Sequence, residues 1–395
     1  MSESSGIGGI LVAGHLCVDV RPEIHSNESV KDLFLPGRLI ETGTLTATCG
    51  GAVFNTGVSL QRLGIPTRLA GKIGSDLFGD MTLKLIANEG AELSKNLIIG
   101  EQENTSYSIL INPKHEDRII LHYIGANSTL DESDITDAMF DGVRLFHFGY
   151  PPLLKCFYQD GGEKMEALLR RAKGKQLVTS LDMALVEPHS EAGQVDWLDY
   201  LARVLPYVDL FMPSFEEILF MLRRSEYLEF KQQSTKDVFS IVDGTVLSGL
   251  ANELLALGPS VVGIKLGEHG LYMKTTNQAA KMSRLQQNIG INERDWTGKE
   301  RFAPCYSVQV KGTTGAGDAT IAGFLAGLMH RASLEEAMLT AVATGACSVS
   351  GMDAVSGIPE WEELKSRMND GWARKGLTIP LVGWAAKNET GIWSK

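Results

Sequence analysis

One aspartate and the glycines in front of it set the chemistry open to this chain. The stretch Val308-Gln309-Val310-Lys311-Gly312-Thr313-Thr314-Gly315-Ala316-Gly317-Asp318 begins as an alternating, β-branched run and turns through Gly312 to Gly317. It then enters a helix rich in small residues (Ala319, Ala322, Gly323, Ala326, Gly327). The pattern predicts strand, turn, helix. Such a turn aims backbone N–H groups outward, with the positive end of the helix dipole behind them. Thr314, Gly315, Ala316 and Gly317 are therefore candidates for an anion cradle, with Asp318 at its mouth. A carboxylate there opposes simple anion binding. It suits a base that takes a proton from a nucleophile attacking a phosphoryl group held by the amides. A plain helix start, with Asp318 facing the dipole, is the competing reading. No Gly-Lys-Ser/Thr follows the glycines, so the loop is not of the P-loop type.

A second cluster is Cys49-Gly50-Gly51-Ala52-Val53-Phe54-Asn55. Adjacent glycines let a strand end approach a ligand with no Cβ between them. Asn55 offers hydroxyls both a donor and an acceptor, or else caps a helix. Asp19 follows the first apolar strand, where ligand sites occur in α/β sheets. Ser214 and Glu217 open a helix after a strand, and acids at a helix start also favour the dipole without any ligand. Lys265, Gly267 and Gly270 form a strand-to-turn element that fits close backbone approach to a phosphate, or a plain hairpin. His15, His122 and His147 lack ligand spacing and support neither a metal nor a base role.

In order and separation these segments resemble the ribokinase-like (PfkB) carbohydrate kinases. Thr313 to Asp318 match the family's Asp-Thr-Thr-Gly-Ala-Gly-Asp signature, with Gly312 in place of the leading Asp. Asp19, Gly51 (beside Gly50) and Asn55 resemble the trio that reads adjacent sugar hydroxyls. Ser214-Phe215-Glu216-Glu217 is similar to the family's Asn-x-x-Glu, with Ser214 replacing Asn. Glu217 would then help order the Mg²⁺ hydration shell through water. Lys265, Gly267 and Gly270 resemble the segment passing under the nucleotide, and Gly125-Ala126-Asn127 the segment after the lid, with Asn127 near substrate.

The resemblance implies an α/β fold: a ribokinase-like three-layer α/β/α body with a central mostly parallel sheet and a small β-sheet lid. It implies transfer from ATP, with Mg²⁺, to a hydroxyl (a primary one) of a small sugar, and a homodimer formed through the lid. A nucleoside kinase of the same fold and a non-catalytic sugar-binding or regulatory protein are the alternatives. Gly312 removes a carboxylate that supports a monovalent cation in many relatives, which leaves that ion open. Leu181-Asp182-Met183-Ala184 lacks the Asn and Arg that many relatives carry there, which leaves the sugar open. Arg21 and Arg118 are candidates for a phosphosugar's far end.

The elements that must position these residues are legible in outline. Apolar strands are expected at Ile7–Ala13, Leu145–Phe148, Leu177–Leu181, Val208–Met212 and Val261–Leu266, with helices between, as in a parallel sheet covered on both faces. Half-wet β structure is expected at 15–50 and 105–125, the latter a hairpin turning at Asn112-Pro113-Lys114-His115-Glu116-Asp117. Helices are expected from Asn55 to Leu63, from Asp76 to Glu89, and from a capping box at Ser333-Leu334-Glu335-Glu336. Arg68–Ile73 reads as one strand, and Thr275–Phe302 as a long polar loop. The domain plan is a disordered 1–6, a body over 7–368 and a C-terminal extension over 369–395, packed on the body or on a neighbouring subunit.

A chain of 395 residues can bury a sizeable core. The formal charge of −11 argues against nonspecific nucleic-acid binding and against docking on anionic membranes. The 5 cysteines are scattered without a Cys-x-x-Cys pair, which fits free thiols in a cytoplasmic protein.

Overall fold

The computed structural model describes residues 8–26, 28–112, 119–232, 238–387 and 390–395. The expected disordered segment 1–6, most of the polar turn before Ile119, and Arg118 lie outside the described residues. In chain order the strands begin with β1 (Gly9–Gly14), β2 (Cys17–Pro22), β3 (Leu45–Gly50), β4 (Thr67–Ala70), β5 (Lys72–Gly74) and β6 (Ile98–Gly100). They continue with β7 (Tyr107–Ile111), β8 (Ile119–Tyr123), β9 (Val143–Gly149), β10 (Val178–Leu181), β11 (Leu210–Phe211) and β12 (Val261–Lys265). The last are β13 (Leu271–Thr275), β14 (Glu300–Ala303), β15 (Ala385–Ala386) and β16 (Trp393–Ser394).

β1, β10 and β12 are buried along almost their whole length. Strands with no wet face must lie between two helical layers. They do so in one sheet of order β15-β16-β14-β13-β12-β11-β10-β9-β1-β4. Pairing is parallel from β4 to β12 and antiparallel from β12 to the β15 edge. The two apolar layers are separate clusters, one on each face of the sheet. β2, β3, β7 and β8 form the expected small sheet, in order β3-β2-β7-β8. Its outer strand β8 leaves Ile120, Leu121 and Tyr123 exposed.

The small residues after Asp318 have a packing reason. Helix Ala316–Met329 lies against helix Leu334–Val349 so closely that a Cβ on Gly323 would meet Thr344 Oγ1 at 2.4 Å. The second helix carries the predicted capping box, Ser333 with Glu336.

Several expectations are corrected. Val308–Val310 forms no strand: Val310 is 53% exposed, and β-branching without a neighbouring edge does not make a strand. Residues 275–302 are not a loop but helices Ala279–Ile289 and Glu293–Trp296 leading into β14. Met282, Leu285 and Ile289 carry the helical face of the first. The strand expected over Arg68–Ile73 breaks at Gly71 into β4 and β5, which join different sheets. The C-terminal stretch packs on the body, where β15 and β16 extend the sheet beyond β14.

Candidate active site

The carboxyl ends of the parallel strands deliver side chains to one edge of the sheet. β1 is followed by His15, β9 by Tyr150 and β10 by Asp182, while β12 ends in Lys265. β11 leads through Pro213 to Ser214, the N-cap of helix Phe215–Leu222. β1 pairs with β4 on one side and β9 on the other, so the strand order reverses here. Crevices at such reversals are where open α/β sheets take ligands.

Two helix starts close the crevice. Helix Ala52–Arg62 begins after Gly51, whose φ of 87° is a conformation that favours glycine. Helix Ala316–Met329 begins after Gly315, at φ 76°, where a Cβ would fall 2.4 Å from that of Ala354. The two helices pack together, and their first turns join Asn55 to Asp318. Asn55 Nδ2 donates to Asp318 Oδ2 at 2.9 Å, and the Tyr150 hydroxyl donates to both carboxylate oxygens at 2.8 Å. Asp318 is 1% exposed.

Beside it, the first-turn amides of the helix have no intrahelical acceptor. The Lys265 ammonium lies 3.5 Å from the place a Cβ on Gly317 would take. It donates to Asp182 Oδ1 at 2.6 Å, while Asp182 Oδ2 has no hydrogen-bond partner among the described residues. A cation and a set of outward amides therefore share one small volume.

Burial pushes the Asp318 carboxyl above its ordinary range, against the Asn55 and Tyr150 hydrogen bonds and the Lys265 charge that favour ionisation. Burial and the nearby Asp318 and Asp182 charges hold the Tyr150 phenol well above its ordinary value, so it stays a neutral donor. Burial pushes the Asp182 carboxyl above its ordinary range, against the Lys265 ammonium that favours its charge. Burial opposes the Lys265 charge too, but Asp182, Glu217 and Asp318 outweigh it and hold the ammonium above its ordinary value. Burial, then His122, lowers His15 to about 3, so its imidazole is neutral.

Residues 10–361 match the model of the pfkB family carbohydrate kinases. The chain belongs to that family. This sugar kinase, a phosphotransferase, is 26% identical over 333 residues to 2-dehydro-3-deoxygluconokinase of Bacillus subtilis (strain 168), covering 84% of this chain and 89% of the relative. It is 23% identical to a probable fructokinase-5 of Arabidopsis thaliana, covering 80% and 87%. Among solved structures, a fructokinase with bound ATP from Xylella fastidiosa superposes with a TM-score of 0.66 at 18% identity, covering 92% and 98%. A putative ribokinase II from E. coli in complex with ATP and Mg²⁺ gives 0.67 at 18%, covering 92% and 99%. The neighbours share the ribokinase fold expected from the sequence, lid sheet included.

The structure of this kinase gathers most of the singled-out residues. Asp19 and Gly50 are neighbours on the lid, where a Cβ on Gly50 would fall 2.2 Å from Asp19 Oδ2. Asn55 is inside its helix, not its N-cap, which is Gly51. Ser214 and Glu217 form a capping box, with the Glu217 carboxylate accepting from Ser214 N at 2.6 Å. Gly267 and Gly270 turn an antiparallel hairpin from β12 to β13. Asn127 is buried and spends its amide on the backbone of Leu16, Nδ2 donating at 2.9 Å and Oδ1 accepting at 3.3 Å. It steadies the turn from β1 to β2.

Tyr150 was missed by the sequence reading, although Gly149-Tyr150-Pro151-Pro152 at the end of an apolar strand marks a fixed turn. His15 was set aside, yet its ring lies beside Gly51 and 6.1 Å from that of Tyr150. Neither of its nitrogens has a hydrogen-bond partner among the described residues.

Proposed function

We propose that this chain transfers the γ-phosphoryl group of ATP to a hydroxyl of a small sugar, with Asp318 as the base. The observation that carries this reading is the buried Asp318 carboxylate, oriented by two donors at the mouth of an amide cradle with an ammonium alongside. The sugar lies between Asp19, Gly50 and Gly51 on one side and Asn55 on the other, and presents a primary hydroxyl to Asp318. Asp318 takes the hydroxyl proton as the oxygen attacks phosphorus, and the bond from phosphorus to the leaving ADP oxygen breaks. The amides of Gly315 to Gly317, aided by Thr314 and Lys265, meet the charge on the transferred group.

Glu217 supplies a hard oxygen near Lys265 and Asp318, whose charges it perturbs. That suits Mg²⁺, which keeps several waters and leans on one or two carboxylates plus substrate phosphates; when bound, it supplies charge neutralisation on those phosphates. Positioning and electrostatics then provide most of the rate.

The exposed Ile120, Leu121 and Tyr123 on an edge strand of the lid fit a homodimer paired lid to lid. A charged substitution at Leu121 is expected to shift the size of the particle in solution to that of a single chain.

The test of the function is ADP release with Mg²⁺-ATP across neutral sugars, sugar acids, phosphosugars and nucleosides. Turnover with a sugar supports the reading. Turnover with nucleosides alone, or sugar binding without any turnover, overturns it.

A further inference from the structure

We infer that Tyr150 is a positioning residue of the transfer, its phenol fixing the Asp318 carboxylate through both oxygens from a strained turn at the end of β9. The inference rests on the reading of Asp318 as the base.

The backbone gives the first argument. Tyr150 sits at φ 65°, ψ 45°, in the left-handed region, which is strained for a residue with a Cβ. The following Pro151 narrows the choices further. Such strain survives where surrounding contacts over-determine it, and it gathers at functional sites. Here the contacts are visible: Tyr150 leaves β9 at the strand-order reversal and its hydroxyl ends on the base.

The hydrogen-bond pattern gives the second. Asn55 donates to Oδ2 alone, whereas the phenol spans both oxygens. Two donors from different elements fix both the position and the rotation of the carboxylate plane. A carboxylate has about four acceptor sites, so capacity remains for the hydroxyl of the acceptor. Positive groups and donors are what a buried carboxylate needs to stay ionised. Tyr150 supplies a donor that carries no charge of its own.

Other titratable groups face this pair from every side. Lys265 comes from β12 and Asp182 from the end of β10, and Glu217 from the helix after β11. His15 lies at the end of β1 and His122 on β8, and the His15 ring adjoins both the His122 ring and that of Tyr150. His147, buried within β9, bonds to Ser180 at 3.0 Å. All of these side chains are retained in the Tyr150 variants, so the variants differ from wild type only at the Tyr150 ring.

The experiment is the pH profile of kcat/KM for wild type, Tyr150→Phe, a protein with ring-fluorinated tyrosine at position 150, and Asp318→Asn. Loss of the phenol donor is expected to move the acidic limb to higher pH by on the order of one unit, with the ATP KM unchanged. The fluorinated ring keeps the fold and is a stronger donor, so its limb moves to lower pH. It decides the matter if Tyr150→Phe does not fold. Limbs that stay in place in every folded variant, with transfer lost in Asp318→Asn, overturn this inference alone. Undiminished transfer in Asp318→Asn overturns both it and the base reading.

Discussion

Asn55 and Asp318, 263 positions apart in sequence, meet through an amide-to-carboxylate hydrogen bond of 2.9 Å. The bond joins the cluster that resembles a sugar-reading motif to the cluster that resembles a phosphoryl-transfer motif. Asn55 Oδ1 has no hydrogen-bond partner among the described residues. One side chain can therefore orient the base and still accept from the sugar.

Removing that link should cost both functions. Asn55→Ala is expected to lower kcat/KM by roughly ten- to a hundredfold, the worth of one charge-assisted hydrogen bond. Part of the loss should appear as a higher sugar KM. Steady-state kinetics at saturating ATP check this; an unchanged sugar KM would remove Asn55 from the sugar site.

Asp182 and Lys265 should behave as a pair. Lys265→Met strands a fully buried carboxylate and is expected to destabilise the fold by about 3–5 kcal/mol. Adding Asp182→Leu should recover most of it, because two apolar groups can replace a buried ion pair at little cost. Urea unfolding of the two single variants and the double variant measures the coupling. Additive losses would show that the 2.6 Å contact carries no special energy.

The cradle depends on the backbone of Gly315. Gly315→Ala puts a methyl 2.4 Å from Ala354 at a positive φ, costing about 1–2 kcal/mol in conformation alone. Transfer should fall well over tenfold, while the melting temperature drops by only a few degrees. Full activity in this variant would mean that the turn does not shape the anion site.

Activity should fall at acid pH. Burial raises the Asp318 pKa above its ordinary value of 3.8. The base works only when ionised, so its function is present above that raised pKa and lost as pH falls through it. The acidic midpoint of kcat/KM is therefore expected above 3.8. A flat profile down to that value, in protein that remains folded, would contradict the burial argument.

Much of this was legible because the informative residues are local. Thr313 to Asp318 and Cys49 to Asn55 advertise turn, close approach and helix start within a few positions. Alternation of apolar strands with helices revealed the body. Contacts made by topology were not legible. Nothing near Tyr150 in sequence says that β9 will lie beside β1, with its last residue reaching a helix from the far end of the chain. Lys265 and Asp182 are likewise joined by strand order. Val308–Val310 misled because β-branching marks a pleated surface only where a neighbouring strand exists. Polar residues around Met282, Leu285 and Ile289 hid the single apolar face of a helix.

The most direct measurement is phosphoryl transfer by Asp318→Asn beside wild type, on whichever sugar the wild type turns over with Mg²⁺-ATP. The substitution keeps the shape of the side chain and removes the base. The account predicts that ATP and sugar still bind, while kcat falls on the order of a hundredfold or more. Undiminished kcat would contradict it and leave the cradle without the chemistry assigned to it.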